Sequence, residues 1–332
     1  MTSLSGRKVF VTGATGILGG ALTRLLVDSA CEVTVLVRDA VPRAALWSFR
    51  DKDGSPLRER IQIVHGDITD FALLLRALNE GEIDLVFHLA AQTIVGIAGA
   101  NPLSTFESNV RGTYLLLEAC RSLKERIRGV VVASSDKAYG VSDNLPYQET
   151  ATLQGKFPYD VSKACADLLT QAYHHAYGLP AAVTRCANLY GPGDLNENRL
   201  IPGTIRSVLD GKRPIVRSDG SLVRDYLYVE DAARGYLLIA ERLLESSERV
   251  VGEAFNFSPE APMTVLEVVQ EILRQMGREG LEPDVRRTST LEIPKQTLNA
   301  AKAAEVLGWA PGSGFEESLA RTIEWYREFW TR

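Results

Sequence analysis

The chain has 332 residues, of which 45% are hydrophobic, so it is long enough to bury one large or two modest cores. Its 37 basic and 42 acidic residues give a net charge of −5, and no long block of one sign occurs, which excludes general nucleic-acid or membrane-surface binding. No apolar run reaches the roughly 18 residues that a membrane helix needs, so we expect a cytoplasmic protein.

Strands and helices alternate through the first half of the chain. Apolar runs predict strands at residues 8–13, 32–37, 61–67, 84–91, 129–135 and 181–188. Amphipathic runs predict helices at residues 17–30, 70–80, 104–125 and 159–177. Continuous apolar strands separated by helices are typical of a parallel sheet covered on both faces. We therefore predict an α/β fold with a doubly wound, Rossmann-like sheet and a second, smaller α/β lobe.

The texture changes after Asn188, where Gly, Pro and Asn become frequent. A predicted helix at 232–244 and a short strand at 254–258 resemble additions to the first sheet. We therefore assign residues 1–187 plus about 227–258 to a dinucleotide-binding domain. Residues from about 188 to 226 plus 259–332 are assigned to the substrate lobe.

A glycine-rich loop, "VTGATGILGG", joins the first strand to the first helix. Gly13, Gly16 and Gly19 would let the backbone turn tightly and approach a pyrophosphate, while the helix N-terminus offers N–H groups. Three glycines alone are a weak signal, but their place between a strand and an apolar helix makes it strong. The predicted dinucleotide contacts in this loop are Gly13, Thr15, Gly16, Ile17, Leu18 and Gly19.

The second strand ends in "VLVRD", where an acid would favour NAD and an arginine NADP. Val37 stands where an acid is expected and Arg38 follows, which favours NADP, although Asp39 leaves NAD open. Arg38 can equally be an ordinary solvated surface charge. We expect NAD or NADP, tightly bound and recycled.

The third and fourth strands end in "GDITD" and "HLAAQ". Asp67 is placed to meet the adenine end of the cofactor, or else to cap the next helix. The small side chains of Ala90 and Ala91 permit a cofactor to lie against the sheet edge. The further predicted cofactor contacts here are Asp67, Ile68, Leu89, Ala90 and Ala91.

Tyr159 and Lys163, in "YDVSK", lie four residues apart at the start of a predicted helix and so share one face. A nearby ammonium and a cationic nicotinamide ring would lower the pKa of the phenol, which could then take a proton from a sugar hydroxyl. The same spacing also occurs by chance on helix surfaces.

In this context the chain resembles the extended short-chain dehydrogenase/reductase family, in the branch that modifies nucleotide sugars. The motifs of this resemblance follow in order along nearly the whole chain: "VTGATGILGG", "GDITD", "HLAAQ", "NVRGTYLLLEAC", "SSDKAYG", "YDVSK", "RCANLYGPGD", "RLIP", "VRDYLYVEDAARGYLL" and "AFNFS". The resemblance implies a cofactor domain, a small C-terminal substrate lobe and a homodimer that packs through two helices of each subunit.

The run Ser135-Asp136-Lys137 resembles dehydratases acting on cytidine-linked glucose, whereas those acting on thymidine-linked glucose have Thr-Asp-Glu. The resemblance implies that Ser135 hydrogen-bonds the carbon-4 oxygen, Asp136 protonates the leaving water and Lys137 removes the carbon-5 proton. Lys137 can act so only when neutral, and an ion pair between Lys137 and Asp136 is the alternative. The rival functions are those of a nucleotide-sugar 4-epimerase and of a cofactor-sensing protein without turnover.

A nucleotide diphosphate needs cations and backbone donors. In the family, the positions of Asn188, Arg199, Leu200 and Arg224 commonly hold the diphosphate or its neighbours. Asn109 is expected to support the active-site backbone, and His88 to be a hydrogen-bonded core residue. The four cysteines form no CxxC pair and the histidines lack partners at metal spacing, so we expect core thiols and no metal site.

Overall fold

The structure of the chain is a computed structural model, which describes residues 3–288 and 293–331. The strands are β1 Lys8–Thr12, β2 Glu32–Val37, β3 Ile61–His65, β4 Leu85–His88, β5 Gly129–Ala133, β6 Ala181–Cys186, β7 Asn188–Tyr190, β8 Ile215–Val216, β9 Val223–Arg224, β10 Tyr226–Tyr228, β11 Ala254–Phe257, β12 Met263–Thr264, β13 Asp284–Val285 and β14 Lys295–Gln296. The α-helices are α1 Ile17–Asp28, α2 Ala45–Ser48, α3 Phe71–Glu80, α4 Val95–Ala100, α5 Pro102–Phe106, α6 Gly112–Ser122, α7 Pro158–Tyr177, α8 Leu200–Leu209, α9 Val229–Leu244, α10 Val265–Gln275, α11 Ala301–Leu307 and α12 Phe315–Thr331.

Seven strands form one sheet in the order β11-β6-β5-β4-β1-β2-β3. Every neighbouring pair in it is parallel. The strand order reverses between β1 and β4, and at such a switch point the carboxyl ends of the strands leave a crevice for a ligand. The predicted doubly wound fold is confirmed, and the glycine loop after β1 lies at this crevice.

Side chains alternate between two cores because successive residues of a strand face opposite sides. In β1, Val9 and Val11 join the core beneath α1, α9 and α11, whereas Phe10 joins the core beneath α3 and α6. Phe10 is fully buried, and burying such a side chain contributes roughly 1.5–3 kcal/mol. Both faces of the sheet are therefore covered, which fixes the strand ends that form the site.

The structure divides the helix predicted at residues 104–125 into three consecutive parts. It consists of α5, a π-helical turn at Glu107–Arg111 and α6. Within the turn, the buried Asn109 exchanges hydrogen bonds with the backbone of Gln92 and donates to Ser162 Oγ at 2.9 Å. The expectation that Asn109 supports the active-site backbone is confirmed.

The second lobe has its own small core and short strand pairs. Strand β9 pairs with β12 and β14, while β7 pairs with β10 and β8 with β13. Because β11 adds to the large sheet after this excursion and α9 packs on α1, we propose to keep the domain boundaries inferred from the sequence. Across residues 3–288 and 293–331, no helix combines the length and apolarity that crossing a bilayer requires.

Candidate active site

A large cleft opens at the carboxyl ends of the sheet strands, between the sheet and the second lobe. Its volume is about 1470 Å³, larger than the roughly 300–1,000 Å³ of a typical small-molecule pocket. Such a volume accommodates two ligands side by side. The predicted site residues that line it are Gly13, Thr15, Gly16, Ile17, Leu18, Gly19, Leu89, Ala91, Ser135, Asp136, Lys137, Tyr159, Lys163, Asn188, Arg199, Leu200 and Arg224.

The glycine loop forms a backbone cradle. A Cβ atom on Gly19 would lie 2.1 Å from the oxygen of Gly13, and one on Gly13 would lie 2.7 Å from the nitrogen of Ala90. The N-cap of α1 is Gly16, which has no side chain to accept a hydrogen bond from the first turn. The backbone N–H groups of that turn are therefore open to an anionic ligand. The residues present therefore fit a dinucleotide pyrophosphate.

A comparison of two glycines separates the effect of the cradle on dinucleotide binding from the effect of backbone strain. Gly13 and Gly6 have φ of +74° and +75°, but a Cβ on Gly6 would meet nothing within 4 Å. Gly6→Ala should therefore cost about 1–2 kcal/mol of stability without changing dinucleotide affinity. Gly13→Ala should also weaken dinucleotide binding at least about tenfold. Denaturant unfolding and fluorescence titration measure the two effects, and equal affinities would refute the cradle.

Arg38 and Asp67 interact electrostatically, and neither is among the residues that line the cleft. The Arg38 side chain is 59% exposed and its Nε donates to Asp39 at 2.7 Å. Burial alone would raise the pKa of Asp67. Hydrogen bonds from Thr69 outweigh burial and lower this pKa, with a smaller contribution from the charge of Arg38. Asp67 does not cap the next helix, because Asp70 accepts from the N–H of Leu73 in that role. Ile68 is buried.

Tyr159 and Lys163 both line the cleft from the first turns of α7. Burial raises the pKa of Tyr159 to about 12, although a hydrogen bond with Ser135 and the charge of Arg199 oppose the rise. Burial also lowers the pKa of Lys163 to about 8, and its Nζ donates to the carbonyl of Ala133 at 2.8 Å. Burial thus opposes the lowering of the Tyr159 pKa that the sequence predicts beside an ammonium and a cationic nicotinamide ring.

The turn after β5 presents Ser135, Asp136 and Lys137 to the cleft. The Ser135 hydroxyl donates to Asp136 Oδ1 at 3.0 Å and accepts from the Lys137 N–H at 3.2 Å. The Lys137 ammonium donates to Oε1 of Gln296 at 3.0 Å rather than to the Asp136 carboxylate. The turn is therefore not closed by an ion pair between its acid and its base.

Asn188, Arg199 and Arg224 reach the cleft from the second lobe. The Nδ2 atom of Asn188 is buried and has no hydrogen-bond partner within the described residues, so it can donate to a ligand. Arg199 donates to Asp194 at 3.1 Å. The Arg224 guanidinium is buried and donates to the carbonyls of Val223, Pro294 and Ile293.

Two residues of this site were missed by sequence reasoning. Asp160 is 3% exposed and lines the cleft, and burial raises its pKa while Lys137 opposes the rise. Its place directly after Tyr159 could have indicated it. Gln296 is buried and contacts Lys137 across 159 residues of sequence, so no local pattern could have found it.

His88 is a buried core residue, as expected. Its ring nitrogens contact the hydroxyls of Thr12 at 2.8 Å and Thr113 at 2.9 Å, and burial lowers its pKa to about 3. All four cysteines are unpaired thiols. No group of three or more His, Cys, Asp or Glu side chains within the described residues could hold a metal ion.

Residues 10–322 match the family model described as GDP-mannose 4,6 dehydratase. The chain belongs to this family. A dTDP-glucose 4,6-dehydratase from Mycolicibacterium smegmatis is 34% identical over 98% of this chain and 95% of its own length. A CDP-glucose 4,6-dehydratase from Salmonella typhimurium is 31% identical over 98% of this chain and 92% of its own length.

Solved structures of family relatives have the same fold. The dTDP-glucose 4,6-dehydratase DesIV from Streptomyces venezuelae, a double mutant solved with NAD bound, superimposes with a TM-score of 0.86 at 32% identity, covering 96% of this chain and 97% of that one. A UDP-glucose 4-epimerase from Thermotoga maritima reaches 0.86 at 26% identity, covering 96% and 98%. The predicted fold, the nicotinamide dinucleotide cofactor and the class of nucleotide-sugar 4,6-dehydratases within the extended family are confirmed by these matches.

Proposed function

We propose that this chain converts a nucleotide-diphosphate hexose into its 4-keto-6-deoxy derivative, with residues Ser135, Asp136, Lys137, Tyr159 and Lys163 as its catalytic set. The observation that supports this most directly is that one cleft holds all five side chains beside the glycine cradle. The cleft also has the volume for a dinucleotide and a nucleotide sugar together.

Tyr159 would take the proton of the carbon-4 hydroxyl, while Ser135 hydrogen-bonds the same oxygen. Lys163, near the start of α7, would hold the cofactor. Its positive charge near the phenol of Tyr159 would favour the phenolate. The bound dinucleotide would supply the hydride acceptor at carbon 4 and the hydride donor at carbon 6. Backbone groups of Gly13, Gly16 and Gly19 would hold its pyrophosphate.

Elimination then needs an acid and a base on the same side of the sugar. The carbonyl at carbon 4 acidifies the proton on carbon 5, which passes to the neutral amine of Lys137. The hydroxyl on carbon 6 takes a proton from Asp136 and leaves as water. When hydride is returned to carbon 6, carbon 5 would take a proton back from the Lys137 ammonium. Asp136 and Lys137 are adjacent in one turn, and their side chains have different partners, Ser135 and Gln296.

For the diphosphate we propose Asn188, Arg199, Leu200 and Arg224. The unpartnered amide nitrogen of Asn188 supports this assignment. Cytidine-linked glucose is our first choice of substrate, because the Asp136-Lys137 pair resembles that branch. Relatives that act on thymidine-linked and on cytidine-linked glucose match almost equally well, so the panel below includes both.

The deciding experiment incubates the purified protein with CDP-, dTDP-, GDP- and UDP-hexoses and follows product mass and cofactor absorbance. Loss of one water without net reduction of the cofactor is the expected result. An unchanged mass with inverted stereochemistry at carbon 4 would instead indicate the epimerase, and no change with any sugar would indicate a protein that only senses the cofactor.

We propose NAD as the cofactor. Arg38, the cation at the end of β2, is already paired with Asp39 and is not among the residues that line the cleft, so the leaning toward NADP gains no support from this geometry. Isothermal titration with both dinucleotides tests the choice.

We propose a cytoplasmic location. The unpaired thiols agree with a reducing compartment such as the cytoplasm, and cell fractionation tests this location.

We also propose a homodimer. Neighbouring helices α4, α5 and α7 expose Ile97, Leu103 and Leu168, which are 48%, 72% and 56% accessible. Exposed apolar side chains grouped in this way are typical of an interface. The double variant Leu103→Asp, Leu168→Asp should sediment as a monomer, whereas Val285→Asp, at an apolar position on the other lobe that is 39% exposed, should leave the dimer intact.

A further inference from the structure

Lys137 is held by a side chain from the far end of the chain. Its Nζ donates to Oε1 of Gln296 at 3.0 Å, and Gln296 is 1% exposed. Gln296 belongs to β14, where it is the register partner of Arg224 in β9. The contact therefore joins the turn after β5 to the substrate lobe.

The segment around Gln296 is fixed by hydrogen bonds to the residues around the catalytic turn. The N–H of Tyr147 donates to the carbonyl of Thr297 at 2.8 Å, and the N–H of Asn299 donates to the carbonyl of Tyr147 at 2.9 Å. The Tyr147 ring stacks on Tyr139, the last residue of the turn, with centroids 4.7 Å apart. Gln296 is thus preorganised relative to Lys137.

The chemistry of an amide suits this place. A neutral amide oxygen can accept an N–H from an ammonium or from a free amine, and it stabilises the ammonium less than a carboxylate would. The nitrogen of the Gln296 amide is buried without a partner among the described residues. An unsatisfied buried group costs about 1–3 kcal/mol, so its retention needs an explanation other than stability.

We propose that Gln296 is a positioning residue that aims the Lys137 amine at carbon 5 and favours its charged form less than a carboxylate there would. This inference rests on the proposed dehydratase function. The carboxylate of Asp160 interacts electrostatically with Lys137 and with Asp136, the residue before it. Arg224, the register partner of Gln296, directs its guanidinium to the carbonyls of Val223, Pro294 and Ile293.

The test compares Gln296→Leu, which removes the acceptor at similar volume, with Thr297→Val, which removes a hydroxyl from the next residue of the same segment. In Gln296→Leu, kcat should fall about 10- to 100-fold with KM within about twofold. Reduced dinucleotide should accumulate in a single turnover, because carbon-4 oxidation does not use Lys137. Thr297→Val should match the wild type in both measurements.

Gln296→Glu is the second variant, and it keeps an oxygen acceptor in place. Because its carboxylate stabilises the ammonium, the acid limb of the kcat–pH profile should move up by about one pH unit, with activity recovering in alkali. A purely structural role would produce no such displacement.

Each outcome decides the matter. Equal slowing of oxidation and elimination in Gln296→Leu, or wild-type rates in both Gln296 variants, overturns the positioning role alone. A folded wild type that removes water from none of the sugar nucleotides overturns the dehydratase function, and this inference with it.

Discussion

Replacing Tyr159 by Phe should lower the rate of carbon-4 oxidation by roughly 10²- to 10⁴-fold, the usual contribution of a general base. The change deletes one hydroxyl from a side chain that is 8% exposed, so the packing of α7 is kept. Without the phenol, the group proposed to lie beside the carbon-4 oxygen is the Ser135 hydroxyl, a far weaker base. Stopped-flow absorbance in a single turnover with CDP-glucose should show reduced dinucleotide forming slower by the same factor.

A matched control lies on the same helix. Tyr177 ends α7 and is 50% exposed, so Tyr177→Phe makes the same change far from the cleft. It should leave the rate and the dinucleotide affinity unchanged. If Tyr159→Phe still reduced the cofactor at the wild-type rate, the assignment of the proton acceptor would be wrong.

Replacing Lys137 by Met should stop the reaction after its first half. Carbon-4 oxidation does not need this amine, so reduced dinucleotide should form and persist, while elimination slows by roughly 10²- to 10⁴-fold. In deuterated water the wild type should place deuterium at carbon 5 of the product. The variant should place none there, which mass spectrometry and proton NMR detect.

Lys156→Met is the control, because Lys156 is an exposed lysine just before α7. It should behave as the wild type does. A 4-epimerase would lose nothing in Lys137→Met, since rotation and reduction of the ketone need no base at carbon 5. Unchanged turnover in that variant therefore contradicts the dehydratase.

Much of this architecture could be predicted from local sequence. Periodicity placed the sheet strands because each is a short apolar run, and the glycine spacing predicted the cradle because only glycine tolerates those contacts. Tyr159 and Lys163 were found from one helical turn, and Ser135 to Lys137 from the end of one strand. In each case the residues that cooperate are near neighbours in sequence.

Other features depend on contacts that no local pattern encodes. Gln296 meets Lys137 only because β14 pairs with β9, and such pairing follows from the folded lobe. The raised pKa of Tyr159 follows from its burial in the folded chain, whereas sequence reasoning considered only neighbouring charges. In the π turn ahead of α6, Asn109 bonds to Gln92 and Ser162, which lie outside that turn.

The late return of residues 294–299 to the turn after β5 has a consequence for synthesis of the protein. When Tyr159 and Lys163 have been translated, the acceptor of Lys137 and the last strand of the sheet, β11, are still to come. A polypeptide that terminates between them would retain the glycine loop but lack the hydrogen-bond partner of Lys137. The environment of Lys137 is thus complete only after residues 294–299 have been made and folded back.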